Sequence, residues 1–396
     1  LPQLHHINYW LRCLQFPLPA QYTPNDSNRM YLAFLMLSAL DLLRALETST
    51  TPAERAGYAV WIYACQSPAG GFRMAPPWRS SGAADGRAAD PDTYDPPTVP
   101  ATYFALCALL VLGDDLSRVY RAPTLRWLRS VQRADGSVGE ASVAGRVEGG
   151  RDPRFAYCAA GVRWMLRGGG GGGGVDVADV PDLDVDALVR CIGGAQSPDG
   201  GIADAPLHEP HAGYTFCSLG CLGFLGRLGR SDRLEPDPSS ISPAAALHWL
   251  QARQTAHTDP TRSVDAAPPQ VAGAPGGAVG LQGRPGKAAD TCYAWWVVAG
   301  LRMLGSAGAV AALPAADEER VRAHLLGQTQ HALLGGFCKF PGDHPDMHHS
   351  YLGLAALGLM GGQEEGVRAV DAMMCISVEA RGRLEGIWRG WGEGIN

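Results

Sequence analysis

The run GRPGKAADTCYAWW, residues 283 to 296, crowds Arg284, Lys287, Asp290, Cys292 and Tyr293 into the mouth of an apolar helical stretch. Taken singly, each has an ordinary use. An Asp just ahead of a helix is a favoured N-cap, and a Cys in an apolar pattern packs as a small hydrophobe. An imidazole from elsewhere changes the chemistry, because carboxylate, thiolate and imidazole are all zinc ligands, and three of them leave the fourth position open for substrate. The run MHHSY supplies two candidates, His348 and His349, and spacing alone does not choose between them. Beside this possible metal set, Arg284 and Lys287 join His211 and Tyr293 as a mixture of fork, point charge and neutral donors suited to a diphosphate. Solvated loop charges are the plainer reading of GRPGK. Zinc next to cations fits a reaction in which the metal lowers a substrate thiol's pKa and a long apolar diphosphate ester is the electrophile.

Such residues must be brought together by the elements that carry them. A Gln followed by a glycine turn recurs in WIYACQSPAGGF, WLRSVQRADGSVGE, CIGGAQSPDGGIA, WLQARQT and LLGQTQHALLGGF, with Gln66, Gln132, Gln196, Gln254 and Gln330 spaced 66, 64, 58 and 76 residues apart. After each turn a second helix follows, rich in Gly, Ala and large apolar residues, as an inner helix packed on neighbours requires. The first helices carry Arg and Gln on one side and fit an outer layer. The expected fold is all-α, with about six helical hairpins closed into an α/α barrel, since an open solenoid needs polar capping helices at both ends. In a closed barrel the inner helices all start at one end. Arg154, His211, Asp290, Cys292, Tyr293, His348 and His349 then share one mouth. Residues 1–396 are expected to form one domain, with flexible loops near 79–97, 168–174 and 257–278.

Composition bounds the partners. The chain has 46% hydrophobic and 18% charged residues and a net charge of −6 without a basic run, so nucleic acid is an unsuitable principal partner. No apolar stretch reads as a membrane span. The 10 cysteines are scattered, none in C-x-x-C, and neither end carries an export or lipid signal; a cytoplasmic protein is expected. A terpene cyclase is disfavoured because DLDVDAL and DDLSR lack that class's carboxylate patterns, while a non-catalytic helical scaffold would carry no zinc.

Across CQSPAGGF, DPRFAYCAA, EPHAGYTFCSLGCL, GLQGRPGKAADTCYAWW and GGFCKFPGDHPDMHHSYLGLAALGLMG the chain resembles the β subunits of protein prenyltransferases. The type I geranylgeranyltransferase branch is the nearest. That resemblance implies one Zn2+ held by Asp290, Cys292 and His349, which selects His349 over His348. It implies diphosphate binding by His211, Arg284, Lys287 and Tyr293, and a role for Arg154 in reading the peptide's carboxylate. Lys339 stands where farnesyltransferases place a magnesium-binding Asp, so catalysis without magnesium is expected. The implied partners are a prenyltransferase α subunit, geranylgeranyl diphosphate and C-a-a-X proteins, X usually Leu, such as Rho-family small GTPases. Farnesyltransferase is the competing branch. Tyr31 falls at the lumen position that is a small Thr in type I enzymes and a bulky Trp in farnesyltransferases, and Leu35 one turn on restores volume. His348 occupies a position expected to help read the box's last residue.

Overall fold

The computed structural model describes residues 1–77, 91–169, 175–229, 240–259, 261, 277–306 and 313–393. Of the loops expected to be flexible, 79–90, 170–174 and most of 257–278 lie outside the described residues. Helices alternate between two layers. The outer layer comprises α1 (Gln3–Gln15), α3 (Pro52–Ala64), α5 (Arg121–Ser130), α7 (Val185–Gly194), α9 (Pro243–Gln251) and α11 (Ala315–His324). The inner layer comprises α2 (Arg29–Leu42), α4 (Val99–Leu112), α6 (Pro153–Leu166), α8 (Ala212–Phe224), α10 (Thr291–Ser306) and α12 (Met347–Leu359). Each inner helix packs on the next, and α12 packs on α2, so the ring closes. Pairing α1 with α2 makes the first of six hairpins. A last helix, α13 (Val378–Glu393), lies against α4. No described helix is long and apolar enough to cross a membrane, and all ten cysteines are unpaired thiols.

The repeated Gln and Gly have a common mechanical role. Gln66, Gln132, Gln196 and Gln330 each form an isolated antiparallel bridge to the residue after their glycine turn, and Gln254 pairs with Leu281 in the same manner. At Gln66, Gln132 and Gln196 the side-chain amide then reaches the start of the next outer helix. Gln132 donates to the Asp184 carbonyl and accepts from the Asp184 N–H, at 2.9 and 2.8 Å. Gln196 does the same to Ser242, at 3.1 and 2.7 Å. Gln66 bonds the Arg118 carbonyl and the Tyr120 N–H. Close approach explains the glycines: a Cβ on Gly70, Gly136, Gly200 or Gly335 would strike the backbone carbonyl of Pro123, Ala187, Ala245 or His5. All four have positive φ, from 75° to 113°. The last contact joins the sixth turn to α1 and completes the outer layer.

The segment after α12 turns back beneath the ring. Tyr103 of α4 and Tyr157 of α6 donate to the carbonyls of Met374 and Met373, at 3.0 and 2.7 Å, and Tyr351 of α12 donates to that of Cys375. These bonds tie a floor to the inner wall. Tyr31, Phe104 and Trp296 are partly exposed aromatic residues on otherwise buried inner helices.

The latch predicts that Gly200→Ala lowers stability by at least about 2 kcal/mol, through its strained φ and the Ala245 carbonyl. Gly57→Ala, mid-helix in open space, should instead gain about 0.5–1 kcal/mol. Thermal unfolding of the two variants side by side checks both. His6 gives a pH prediction. It is fully buried, its Nδ1 accepts from the Gly336 N–H at 3.2 Å, and burial pushes its pKa down to about 4. The unfolded chain therefore binds this proton first, so the His6 contribution is complete above about pH 6.5 and is lost as pH falls toward 4. About 2 kcal/mol of it should disappear between pH 7.5 and 5. His324, also near 4, shares the window. In urea unfolding, His6→Asn should shrink the stability difference between those two pH values.

Candidate metal centre and anion site

The inner helices begin at one end, and their caps are the site's foundations. Asp290 accepts from the Cys292 N–H at 2.9 Å, so it caps α10 as its place in the sequence predicts. Asp346 caps α12 by accepting from the His349 N–H at 3.0 Å. His211 caps α8, its Nδ1 accepting from the Gly213 N–H at 3.1 Å. Capping fixes each side chain at the mouth before any ligand arrives.

The structure brings Asp290, Cys292 and His349 together. His349 Nε2 lies 3.1 Å from Asp290 Oδ1, and its Nδ1 lies 2.6 Å from Asp346 Oδ2. A carboxylate on the far nitrogen of an imidazole is the usual device for orienting a metal-binding His. His348 is here too: the Cys292 sulfur and one nitrogen from each imidazole all lie within 4.8 Å of one another. Its Nδ1 is 2.6 Å from the Tyr31 hydroxyl. The thiol and Asp290 are buried, and both imidazoles nearly so.

Electrostatics show what these donors want. Burial would lower the His349 pKa, but hydrogen bonds and charge from Asp290 and Asp346 outweigh it and raise the pKa to about 9. Burial would raise the Asp290 carboxyl, yet the His349 bond and charge hold it below its usual value. Burial first, and then the adjacent Asp290 charge, push the Cys292 thiol well up. Protons therefore occupy the positions a cation would take, and a sulfur, carboxylate oxygen and imidazole nitrogen set suits zinc. Burial and the neighbouring His349 charge lower the His348 pKa to about 4, so this imidazole is neutral.

Lys339 stands at the edge, its Nζ 3.9 Å from Asp290 Oδ2 and half exposed. Thr291 holds that strand of chain, donating its hydroxyl to the Cys338 carbonyl at 2.6 Å while its N–H bonds the Lys339 carbonyl. On the other side, His211 Nε2 lies 3.0 Å from the Tyr293 hydroxyl. A Cβ on Gly283 would collide with the Tyr293 ring. Arg284 adjoins this pair and carries an ion pair to Glu209 at 2.7 Å. Arg154 is paired with Asp152 at 2.8 Å, its guanidinium 5.7 Å from the Tyr214 ring centre. Lys287 is exposed in the preceding turn; its backbone N–H bonds Gln282, and no described contact joins its side chain to the cluster.

Tyr31 and Leu35 are in the first half of α2. The Tyr31 ring packs 4.8 Å from Phe104, centre to centre, and its hydroxyl turns to the metal cluster, while Leu35 is fully buried. Sequence reasoning passed over three contributors: Asp346, Thr291 and the pairing of Tyr31 with His348. Asp346 had a readable signal, an Asp directly ahead of an apolar helical run. The other two arise between distant segments.

Residues 1–376 match the prenyltransferase alpha-alpha toroid domain model. The chain belongs to the prenyltransferase family. It is 32% identical over 270 residues to a geranylgeranyl transferase type-1 subunit beta of Arabidopsis thaliana, covering 67% of this chain but only 59% of that protein. A second protein so named, from Dictyostelium discoideum, is 28% identical over 383 residues, 92% of each chain. Among solved structures, Candida albicans protein geranylgeranyltransferase-I complexed with GGPP superposes with a TM-score of 0.77 at 23% identity, covering 98% of this chain and 99% of that one. That likeness bears on the fold, which agrees with the closed ring described above.

For this prenyltransferase toroid, Thr291→Val would leave the buried Cys338 carbonyl without its hydroxyl donor. A loss of about 1–3 kcal/mol is expected, read from the urea midpoint.

Proposed function

We propose that this chain is the catalytic β subunit of a zinc-dependent protein geranylgeranyltransferase type I. It would join geranylgeranyl from its diphosphate to the Cys of a C-terminal C-a-a-X box. The supporting observation is the meeting of Asp290, Cys292 and His349 at the mouth that also holds Lys339, His211 and Tyr293, in a chain related along its length to subunits so named.

Asp290, Cys292 and His349 would hold zinc, which would lower the pKa of a substrate thiol so that it is thiolate near neutral pH. The chain's own residues do the rest. Asp346 orients His349. His211 and Tyr293, with Arg284 and Lys287, would receive the diphosphate beside the N-terminus of α10, whose dipole favours an anion. Lys339 adds a fixed ammonium where charge grows on the leaving group, so magnesium is not needed. The thiolate attacks C1 of the lipid, the C1–O bond breaks, and diphosphate departs with the electron pair. Apolar walls above the Met373–Cys375 floor hold the tail. Arg154 would read the peptide's carboxylate, and His348 would help read the box's last residue. An α subunit completes the enzyme in the cytoplasm, with Rho-type small GTPases among its substrates.

Farnesyl transfer is the second reading, and Tyr31 favours it: an aromatic ring on α2 packed against Phe104 occupies space that a fourth isoprene could use.

Three measurements on the heterodimer with an α subunit test the proposal. Competition between farnesyl and geranylgeranyl diphosphate on boxes ending in Leu or Met should favour the longer lipid and Leu, without added magnesium. Preference for farnesyl with a magnesium requirement would transfer the chain to the other branch. Cys292→Ala should remove both zinc, by elemental analysis, and turnover; stoichiometric zinc with full activity would sink the metal assignment. Lys339→Ala should lower turnover by about 100-fold in single-turnover assays.

A further inference from the structure

We propose that His348 is a fourth protein ligand of the metal, held in place by Tyr31, so that the resting site is closed. This rests on the zinc reading above and adds a residue to it. The adjacent imidazoles meet the buried thiol together: ring centres of His348 and His349 are 5.0 Å apart, nearly perpendicular, and a nitrogen of each lies within 4.8 Å of the Cys292 sulfur. Asp290 lies 3.1 Å from His349 and adds a carboxylate beside this group, giving four donors of the kinds zinc prefers, and four is the coordination of a closed site.

The two imidazoles are supported alike. His349 presents Nδ1 to Asp346 and keeps Nε2 for the metal side. His348 presents Nδ1 to the Tyr31 hydroxyl at 2.6 Å, which leaves Nε2 as the nitrogen to offer. Such an outer partner fixes both tautomer and ring direction. Tyr31 is itself immobilised, its ring packed on Phe104 at 4.8 Å and its neighbour Phe34 stacked on that same Phe104 at 5.0 Å. The arrangement gives Tyr31 a task distinct from setting lipid length. It also means that an incoming thiol must displace His348 or crowd in beside it, so substrate entry and metal coordination are linked through α2.

The test uses the purified heterodimer loaded with cobalt in place of zinc, without peptide or lipid. Visible absorption of cobalt reports coordination number and the presence of sulfur, and a competing chromogenic chelator gives metal affinity. His348→Leu should weaken and shift the d–d bands and lower zinc affinity about 10–100-fold, with Tyr31→Phe moving both in the same direction by less. Tyr31→Phe keeps the packed ring, so its result stands even if the leucine variant folds poorly. An unchanged spectrum and affinity in both variants would overturn the role given to His348. The underlying zinc reading fails differently: His349→Ala or Cys292→Ala would then retain stoichiometric metal. Loss of metal in those two with no effect at position 348 overturns only the fourth ligand.

Discussion

The inner helices are lined up by one repeated contact, the glutamine amide that grips the start of the next outer helix at Gln66, Gln132 and Gln196. An amide can donate and accept at once, so Gln132 and Gln196 each satisfy a carbonyl and an N–H of a single residue, Asp184 or Ser242. The N–H would otherwise lack a partner at a helix start, whereas each carbonyl also accepts the first bond of its own helix. The glycine beside each latch permits an approach that any side chain would block. Repetition then does the work of a template: every hairpin is placed by its predecessor, and the last glycine, Gly335, seats on α1 and closes the layer. With closure, six inner helices are obliged to begin at one end.

Helix starts are rich in unpaired N–H groups and carry favourable dipoles for anions, so capping residues collect there. The site reuses those caps. One oxygen of Asp290 caps α10 and meets His349, while the other faces Lys339. Asp346 caps α12 and orients the imidazole three residues on. Cys292 and Tyr293 are neighbours in the chain yet point to different half-sites, one toward His349 and the other toward His211. The proposed thiol-activating centre and diphosphate cradle would thereby be joined through a single turn of α10.

At the other end, three tyrosines from α4, α6 and α12 hold the carbonyls of Met373, Met374 and Cys375. The returning segment is therefore tied to three inner helices at once. Tyr31, considered from its alignment alone, belongs to the lumen; its hydroxyl belongs to the mouth. Its ring packs on Phe104 and its oxygen meets His348 of the candidate metal group.

Much of this was legible in the chain. The Gln and glycine spacing carried the hairpins, their number and the expectation of closure, because a repeat of packed layers must use the same contact each time. Asp290 and Cys292, two residues apart at a helix start, could be read as a pair for the same local reason. The pairing of α1 with α2, the Tyr31 bond to His348 across 317 residues and the hold of Thr291 on the Lys339 segment could not be read, since no local pattern encodes which distant side chain lies opposite. By itself the sequence determined periodicity, caps and the inventory of donors at each helix mouth, all of which are short-range properties of the backbone. Only the tertiary structure decided which donors meet, because that follows from ring closure, a sum of many packing and latch contacts that no single segment contains.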